Sequence, residues 1–237
     1  MRIENRIKTK IKICGLRRRE DILAVNESGP DYCGFIIEFP KSFRSVTAEK
    51  VRELVKELSS EIQPVGVFVN ASMELVTGLL NDGTLAAAQL HGQEDESYIR
   101  ELKTYTDKLI IKAFSIKTAE DIEKALQSPA DYILLDQGGG GTGKTFDWSL
   151  IPEIQRPFFL AGGIGASNLG QAIREIHPYA VDLSSSVETE KRKDPMKIRQ
   201  VVDIVREIRC FEKKHRGEYK CQKEDLEYME GSTFRRH

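Results

Sequence analysis

The sequence predicts an α/β protein built as a single (β/α)8 TIM barrel, and three observations carry that prediction. Short apolar, β-rich stretches alternate with longer helical patterns almost from end to end. Such alternation implies a parallel sheet covered by helices. Eight roughly equal units in about 210 residues fit the small end of the range for this barrel. A doubly wound open sheet is the competing arrangement. Eight equal units with no sign of a strand-order reversal favour the barrel.

In chain order the strands are expected at Ile11–Cys14, Tyr32–Ile36, Val65–Val69, Ala87–Leu90, Leu109–Phe114, Tyr132–Leu135, Phe158–Ala161 and Ala180–Leu183. The lead-in "MRIENRIKTKIKICG" is basic and lacks the apolar core of a signal peptide. Helices are expected after Thr47 and after Thr118, both of which open a cap-like T-x-E pattern. In the first, Val51, Leu54, Val55 and Leu58 recur at helical spacing. The final segment, "DPMKIRQVVDIVREI", sets Ile198, Val201, Val202, Val205 and Ile208 on one stripe. After Arg209 the rhythm stops. Residues 1–209 therefore read as the catalytic barrel and 210–237 as a charged extension, helical or disordered. A partner-binding or dimer-forming tail is the alternative reading of that extension.

Composition excludes several classes. The 237 residues carry 36 lysines and arginines against 37 acids, so no global charge favours nucleic acid or an anionic membrane. No apolar run approaches the ~20 residues of a membrane helix. Cys14, Cys33, Cys210 and Cys221 show no C-x-x-C pairing and no metal spacing. They read as reduced thiols of a cytoplasmic protein, with a Cys210–Cys221 disulfide as the minor alternative.

One motif points elsewhere. "GGGGTGKT" from Gly138 satisfies the G-x-x-x-x-G-K-[ST] pattern of a nucleotide phosphate loop. Such a loop needs a substantial helix after it, whose N-terminus meets the phosphates. Here Pro152 and Pro157 follow within about a dozen residues, and proline inside a helix costs about 3 kcal/mol. At most a short helix fits, so the nucleotide reading is set aside. After strand six of a barrel, the same stretch reads as a mobile lid hinged on glycine, with Lys144 either reaching an anionic ligand or solvated.

Side chains two apart on a strand share a face, and the C-terminal strand ends of such barrels carry the active site. Ile11 and Ile13 suit the helix-facing side, which turns Lys12 and Cys14 inward. The same alternation brings Asp136, the pair Gln89 and His91, and the pair Asp182 and Ser184 to the rim. A thiol, a carboxylate, an imidazole and hydroxyls therefore gather there. Each also has a plainer reading: a small buried cysteine, a turn or cap aspartate, a hydrogen-bonded structural histidine. Asp31 and Cys33 look structural. "FLAGGIGASN" and "VDLSSSVE" follow strands seven and eight, the usual phosphate site of this barrel. Gly162 and Gly163 permit close backbone approach, and Ser184, Ser185 and Ser186 offer hydroxyl and amide donors.

In this order, "KICGLRRREDI", "GFI" followed by "SFR", "VGVFVN", "QLHG", "LLD", "GGTGKTFDW", "LAGGI" with Asn168, and "VDLSSSVE" followed by "KD" resemble the phosphoribosylanthranilate isomerases of tryptophan biosynthesis. The likeness spans roughly Ile11 to Arg209. It implies a (β/α)8 barrel that performs an Amadori rearrangement of N-(5-phospho-β-D-ribosyl)anthranilate, the third step from chorismate. The product is 1-(2-carboxyphenylamino)-1-deoxy-D-ribulose 5-phosphate. The resemblance implies Cys14 as general base, Asp136 as general acid and Arg44 as the residue that binds the anthranilate carboxylate. It calls for no metal or other cofactor. The expected partner is a small phosphosugar, and the expected state a monomer or homodimer.

The chemistry suits these residue types. A partly buried aspartic acid can protonate the furanose oxygen so that the ring opens to a Schiff base. A thiolate can then remove the C2′ proton, and the enolamine tautomerises to the ketone. Lys12, on the face of Cys14, is the cation expected to lower the thiol pKa. Departures from the family pattern are Ser186 in place of glycine, Ser45 in place of an aromatic residue, extra glycines after strand six, and the charged tail. Ser186 either crowds the phosphate or is forced to positive φ. Two further readings stay open: an isomerase for a related aminoaldose, such as that of the histidine pathway, and a non-catalytic phosphosugar-binding protein.

Overall fold

The computed structural model describes residues 9–137 and 147–215. Eight strands run β1 Lys10–Cys14, β2 Tyr32–Ile37, β3 Gln63–Phe68, β4 Ala87–Leu90, β5 Leu109–Ser115, β6 Tyr132–Asp136, β7 Phe158–Leu160 and β8 Ala180–Leu183. Each pairs in parallel with its sequence neighbours, and β8 returns to β1 with Lys12 opposite Asp182. The sheet is therefore a closed barrel, and the open-sheet alternative falls. The expected strands all form, with ends that move by one or two residues.

Seven helices cover the described part of the barrel: α1 Arg19–Ser28, α2 Ala48–Val55, α3 Met73–Asn81, α4 Glu96–Tyr105, α5 Ala119–Leu126, α6 Leu169–Ile176 and α7 Pro195–His215. Their starts are fixed by side chains that satisfy orphan amides. The hydroxyl of Thr47 accepts from the Lys50 amide. Thr118 closes a reciprocal box, but with Asp121 rather than the expected glutamate, because the third helical position holds the aspartate. After β6 the described chain forms only a 3₁₀ turn, Trp148–Leu150, capped by Asp147. The two prolines thus act as expected. The lid segment 138–146, with Lys144, lies outside the described residues.

The charged extension expected from residue 210, helical or disordered, starts as helix: α7 continues without a break to His215. Arg209 itself is tied down: it donates to the Thr9 carbonyl and pairs with Asp31, whose carboxylate also accepts from the Ile11 amide. Asp31 thus pins the last helix to the first strand. Residues 216–237, including Cys221, lie outside the described residues.

Strand alternation divides the core in two. Ile11, Ile13, Cys33, Phe35, Ile133, Leu135, Val181 and Leu183 face outward against the helices, joined by Ile198, Val201, Val202 and Val205 of α7. Tyr32, Val65, Ala87, Ile111, Leu134, Phe159 and Ala180 fill the interior. Tyr32, Tyr132, Tyr179 and Phe159 stack towards the N-terminal end of the strands, with Lys10 over two of the rings. This plug leaves the opposite rim for polar side chains.

Candidate active site

A cavity of about 600 Å³ opens at the C-terminal ends of the strands. Nine of the residues singled out in the sequence line it: Cys14, Arg44, His91, Asp136, Gly162, Gly163, Asp182, Ser184 and Ser185. Closure turns one face of every strand inward, so Cys14, Asp136 and Asp182, at inward positions near the strand ends, reach this space.

Lys12 is fully buried, and its Nζ donates to Asp182 Oδ2 at 2.8 Å. Gly34, opposite Cys14 on β2, makes the room: a Cβ there would stand 2.8 Å from the Cys14 sulfur and 3.1 Å from Lys12 Nζ. Burial alone would neutralise Lys12, but Asp182 and Cys14 hold its pKa above the ordinary value. Burial likewise pushes the Asp182 carboxyl up. Asp182 Oδ1 is buried and has no hydrogen-bond donor among the described residues, so it is poised to accept from something in the cavity.

Lys12 acts on the Cys14 pKa in the expected direction, but burial outweighs it. Burial pushes the thiol up, and Asp182 adds to the rise; Lys12 and the more distant Lys193 oppose it without prevailing. The lysine is present as predicted, but a thiol in a residue only 7% exposed loses more hydration on ionising than one paired ammonium restores.

Asp136 ends β6 with its side chain 15% exposed, and its Oδ2 lies 3.8 Å from His91 Nε2. Gln89 Nε2 donates to His91 Nδ1 at 3.1 Å, which leaves the ring proton on Nε2, towards Asp136 and the cavity. Burial lowers the His91 pKa, with Asp136 acting in the opposite direction. The 35% of its side chain that stays open tempers the effect, whose direction favours the neutral ring. Gly162 has φ +84°, and a Cβ there would come within 2.8 Å of Asp136 Oδ1. Conformation and space both require the glycine.

Gly162 and Gly163 of the β7 loop and the short turn Ser185–Val187 after β8 form the other wall. The amides of Gly163, Ser185 and Ser186 have no acceptor among the described residues, a set of donors suited to a phosphate. Ser186 is not at positive φ. That half of the expectation is overturned, since the tight turn bends at Ser184–Val187 without a left-handed residue. Ser186 lines the cavity and stands beside the backbone of Gly165, where a Cβ would meet the serine Cβ at 3.1 Å.

Arg44 comes from the β2 loop. Its stem crosses Gly15, which has φ +86° and no room for a Cβ, only 2.6 Å from Arg44 Cδ. Its guanidinium grips Glu188, a residue the sequence reading passed over, although it sat in the quoted "SSSVE". Two more charges were missed. Lys112, in the apolar run of β5, and Glu94 pair at 2.8 Å while both nearly vanish from solvent. Glu94 also accepts from the Asn70 and Gly92 amides, which ties together the loops after β3 and β4. A lysine inside "LIIKAF" was the available signal. Among the described residues no three His, Cys, Asp or Glu side chains converge as a metal ion needs.

Fold and cavity together define a (β/α)8-barrel protein whose ionisable and phosphate-suited groups meet at the C-terminal rim. The family described as N-(5'phosphoribosyl)anthranilate (PRA) isomerase matches residues 11–204. A relative from Endomicrobium trichonymphae, named N-(5'-phosphoribosyl)anthranilate isomerase, is 44% identical over 206 residues, 84% of this chain and 99% of that one. One of the same name from Listeria monocytogenes is 40% identical over 87% of this chain and 98% of its own length. The crystal structure of the Thermotoga maritima phosphoribosyl anthranilate isomerase superposes with a TM-score of 0.75 at 37% identity, covering 84% of this chain and 99% of that one. The chain belongs to the phosphoribosylanthranilate isomerase family.

Proposed function

We propose that this isomerase converts N-(5-phospho-β-D-ribosyl)anthranilate to 1-(2-carboxyphenylamino)-1-deoxy-D-ribulose 5-phosphate in tryptophan biosynthesis, with Cys14 as base and Asp136 as acid. A related structure, 35% identical with a TM-score of 0.73, is a complex with reduced 1-(o-carboxyphenylamino)-1-deoxyribulose 5-phosphate. The observation that carries the residue roles is that Cys14 and Asp136, from strands three apart around the barrel, line one cavity. An acid and a base can therefore flank one sugar.

In this reading Asp136 protonates the furanose oxygen, the C1′–O bond breaks, and the anilino nitrogen supplies the electron pair of the Schiff base. Cys14 as thiolate takes the C2′ proton, and those C–H electrons form the enolamine, which tautomerises to the ketone. The amides of Gly163, Ser185 and Ser186, with the Ser185 hydroxyl, hold the phosphate, while the Ser184 hydroxyl donates to the Cys14 carbonyl and ties the ends of β1 and β8 together. Asp182 Oδ1 accepts from a substrate hydroxyl or from the anilino N–H. Neutral His91 bounds the site beside Asp136. Arg44 meets the anthranilate carboxylate.

The partner is thus a small phosphosugar. The Thermotoga maritima relative is described as dimeric; for this chain a monomer or homodimer in the cytoplasm is proposed. No helix among the described residues is long and apolar enough to cross a membrane. The test follows the fluorescence decay of freshly made phosphoribosylanthranilate with wild type, Cys14→Ala and Asp136→Asn. Rapid decay lost in both variants supports the reading; no turnover by folded wild type overturns it.

A further inference from the structure

Arg44, on the β2 loop, and Glu188, on the antiparallel hairpin Glu188–Thr189/Arg192–Lys193 after β8, meet beside the cavity. Arg44 donates Nε and Nη2 to the two Glu188 oxygens, each at 2.7 Å, in a bidentate fork. Glu188 Oε1 also accepts from Lys193 Nζ at 2.8 Å, and the same ammonium donates to the Ser184 carbonyl at 2.8 Å. The Glu188 and Lys193 side chains are 8% and 1% exposed. The Arg44 guanidinium lies over the Phe43 ring at 4.2 Å. Arg44 is therefore fixed on one edge and on one face.

The hairpin that carries Glu188 is itself held. It turns on Glu190 and Lys191, at φ 49° and 60°, a conformation that costs energy in residues other than glycine. The Lys191 carbonyl accepts from Arg17 Nη2, which ties the hairpin to the β1 loop. A strained turn, a buried lysine and a fork thus converge on one arginine. That arginine keeps Nη1 and the second Nη2 hydrogen without a protein acceptor among the described residues, and it lines the cavity.

We propose that Glu188, clamped by Lys193, is a positioning residue: it turns Arg44 so that the remaining guanidinium edge meets the carboxylate of the substrate's aryl ring. This rests on the reading of Arg44 as the carboxylate-binding residue. Preference for a carboxylate-bearing arylamine then resides in a three-residue relay, Lys193 to Glu188 to Arg44. A free arginine would lose rotamer freedom on binding; this one has already lost it.

The test compares Glu188→Ala, Glu188→Gln and Arg44→Ala with wild type. It measures KM and kcat for phosphoribosylanthranilate and the inhibition constants of two compounds. One is reduced 1-(o-carboxyphenylamino)-1-deoxyribulose 5-phosphate; the other is ribulose 5-phosphate, which has the phosphate and sugar chain but no carboxyphenyl group. Losing a charge-assisted contact should cost roughly tenfold or more in affinity. Glu188→Ala is expected to raise KM and the constant of the first inhibitor by that factor, to leave the second within about twofold, and to change kcat less than KM. Glu188→Gln, which keeps one acceptor for Arg44 and preserves packing, should fall between; it decides the matter where the alanine variant fails to fold. Equal weakening of both inhibitors, tighter binding of the first, or no change in either overturns the proposal. Arg44→Ala separates the two levels. If it weakens the first inhibitor selectively while both Glu188 variants do not, positioning is wrong and the Arg44 role stands. If Arg44→Ala has no selective effect, the Arg44 role itself falls.

Discussion

Lys12 and Asp182 meet at 2.8 Å across the β1–β8 seam, with side chains 0% and 8% exposed, directly below the Cys14 thiol. Gly34 supplies the space on the other side, since any side chain there would strike both the sulfur and the ammonium. The charge thus sits where strand closure, not a flexible loop, determines its distance from the thiol.

Replacing Lys12 by methionine keeps the volume and removes the charge. Breaking one side of a buried pair destabilises by about 3 kcal/mol or more, and because burial already favours a protonated Asp182, the cost should lie at the lower end. The Cys14 pKa should rise further, because the largest influence opposing burial is gone. Alkylation by iodoacetamide, in a Cys210→Ser, Cys221→Ser background, should slow roughly tenfold at pH 8. Adding Asp182→Leu should restore thermal stability without restoring the alkylation rate. An unchanged rate in Lys12→Met would show that the ammonium does not act on the sulfur.

The raised Cys14 pKa also fixes a pH dependence. In the free enzyme the base is mostly a thiol at neutral pH, so kcat/KM should climb with pH from 7 towards 9, approaching a tenfold gain per unit. For stability the sign follows from which state binds the proton more tightly. The native thiol ionises above the ordinary value of 9.0, so its contribution is complete below 9.0 and is lost as pH rises from there through the native pKa. One thiol contributes at most about 1.4 kcal/mol per pH unit in that window. Burial pushes Cys33 up as well, so Cys14→Ala should reduce, not abolish, the fall in unfolding temperature above pH 9. A flat kcat/KM between 7 and 9, or an unfolding temperature insensitive to alkali, would contradict the buried-thiol description.

Much of this was legible in the chain, for identifiable reasons. Strand alternation is a period of two, so once Ile11 and Ile13 are placed outward, Cys14 has one place to go; the same holds for Asp136 and Asp182. The interruption after β6 was written in Pro152 and Pro157. What escaped was charge placed where local pattern has no use for it. Lys112 sits inside an apolar run with its partner Glu94 18 residues away, and although Lys12 and Asp182 were both placed at the rim, their pairing across 170 residues was not. Glu188 escaped because Arg44, its partner, is 144 residues distant and reaches it only when the barrel closes. The two-residue strands at 45–46, 188–189 and 192–193 are too short to leave a periodic trace. Thr118 announced its helix correctly, though the acid that completes the cap is one position further on than expected.

Ser186 offers a final test of how tightly the phosphate wall is built. Its backbone is not left-handed, so replacing it by glycine relieves no strain there. Its consequence is felt by Gly165, where an added Cβ would meet the Ser186 Cβ at 3.1 Å. That separation is tighter than most contacts of this kind, and because neither Cβ can rotate away, the backbone on one side must give by a few tenths of an ångström. Gly165→Ala should therefore destabilise by about 1 kcal/mol or more, in the range of small overpacking changes. It should also raise KM, since the shift falls on the loops whose Gly163 and Ser185 amides are assigned to the phosphate. In a Ser186→Gly background the added methyl has nowhere to collide, and the same change should become neutral or slightly stabilising through the loss of unfolded-chain freedom. A double-mutant cycle in urea should thus show coupling of about 1 kcal/mol between the two positions. Additive effects would mean that the loops after β7 and β8 move independently and that the wall is not one unit.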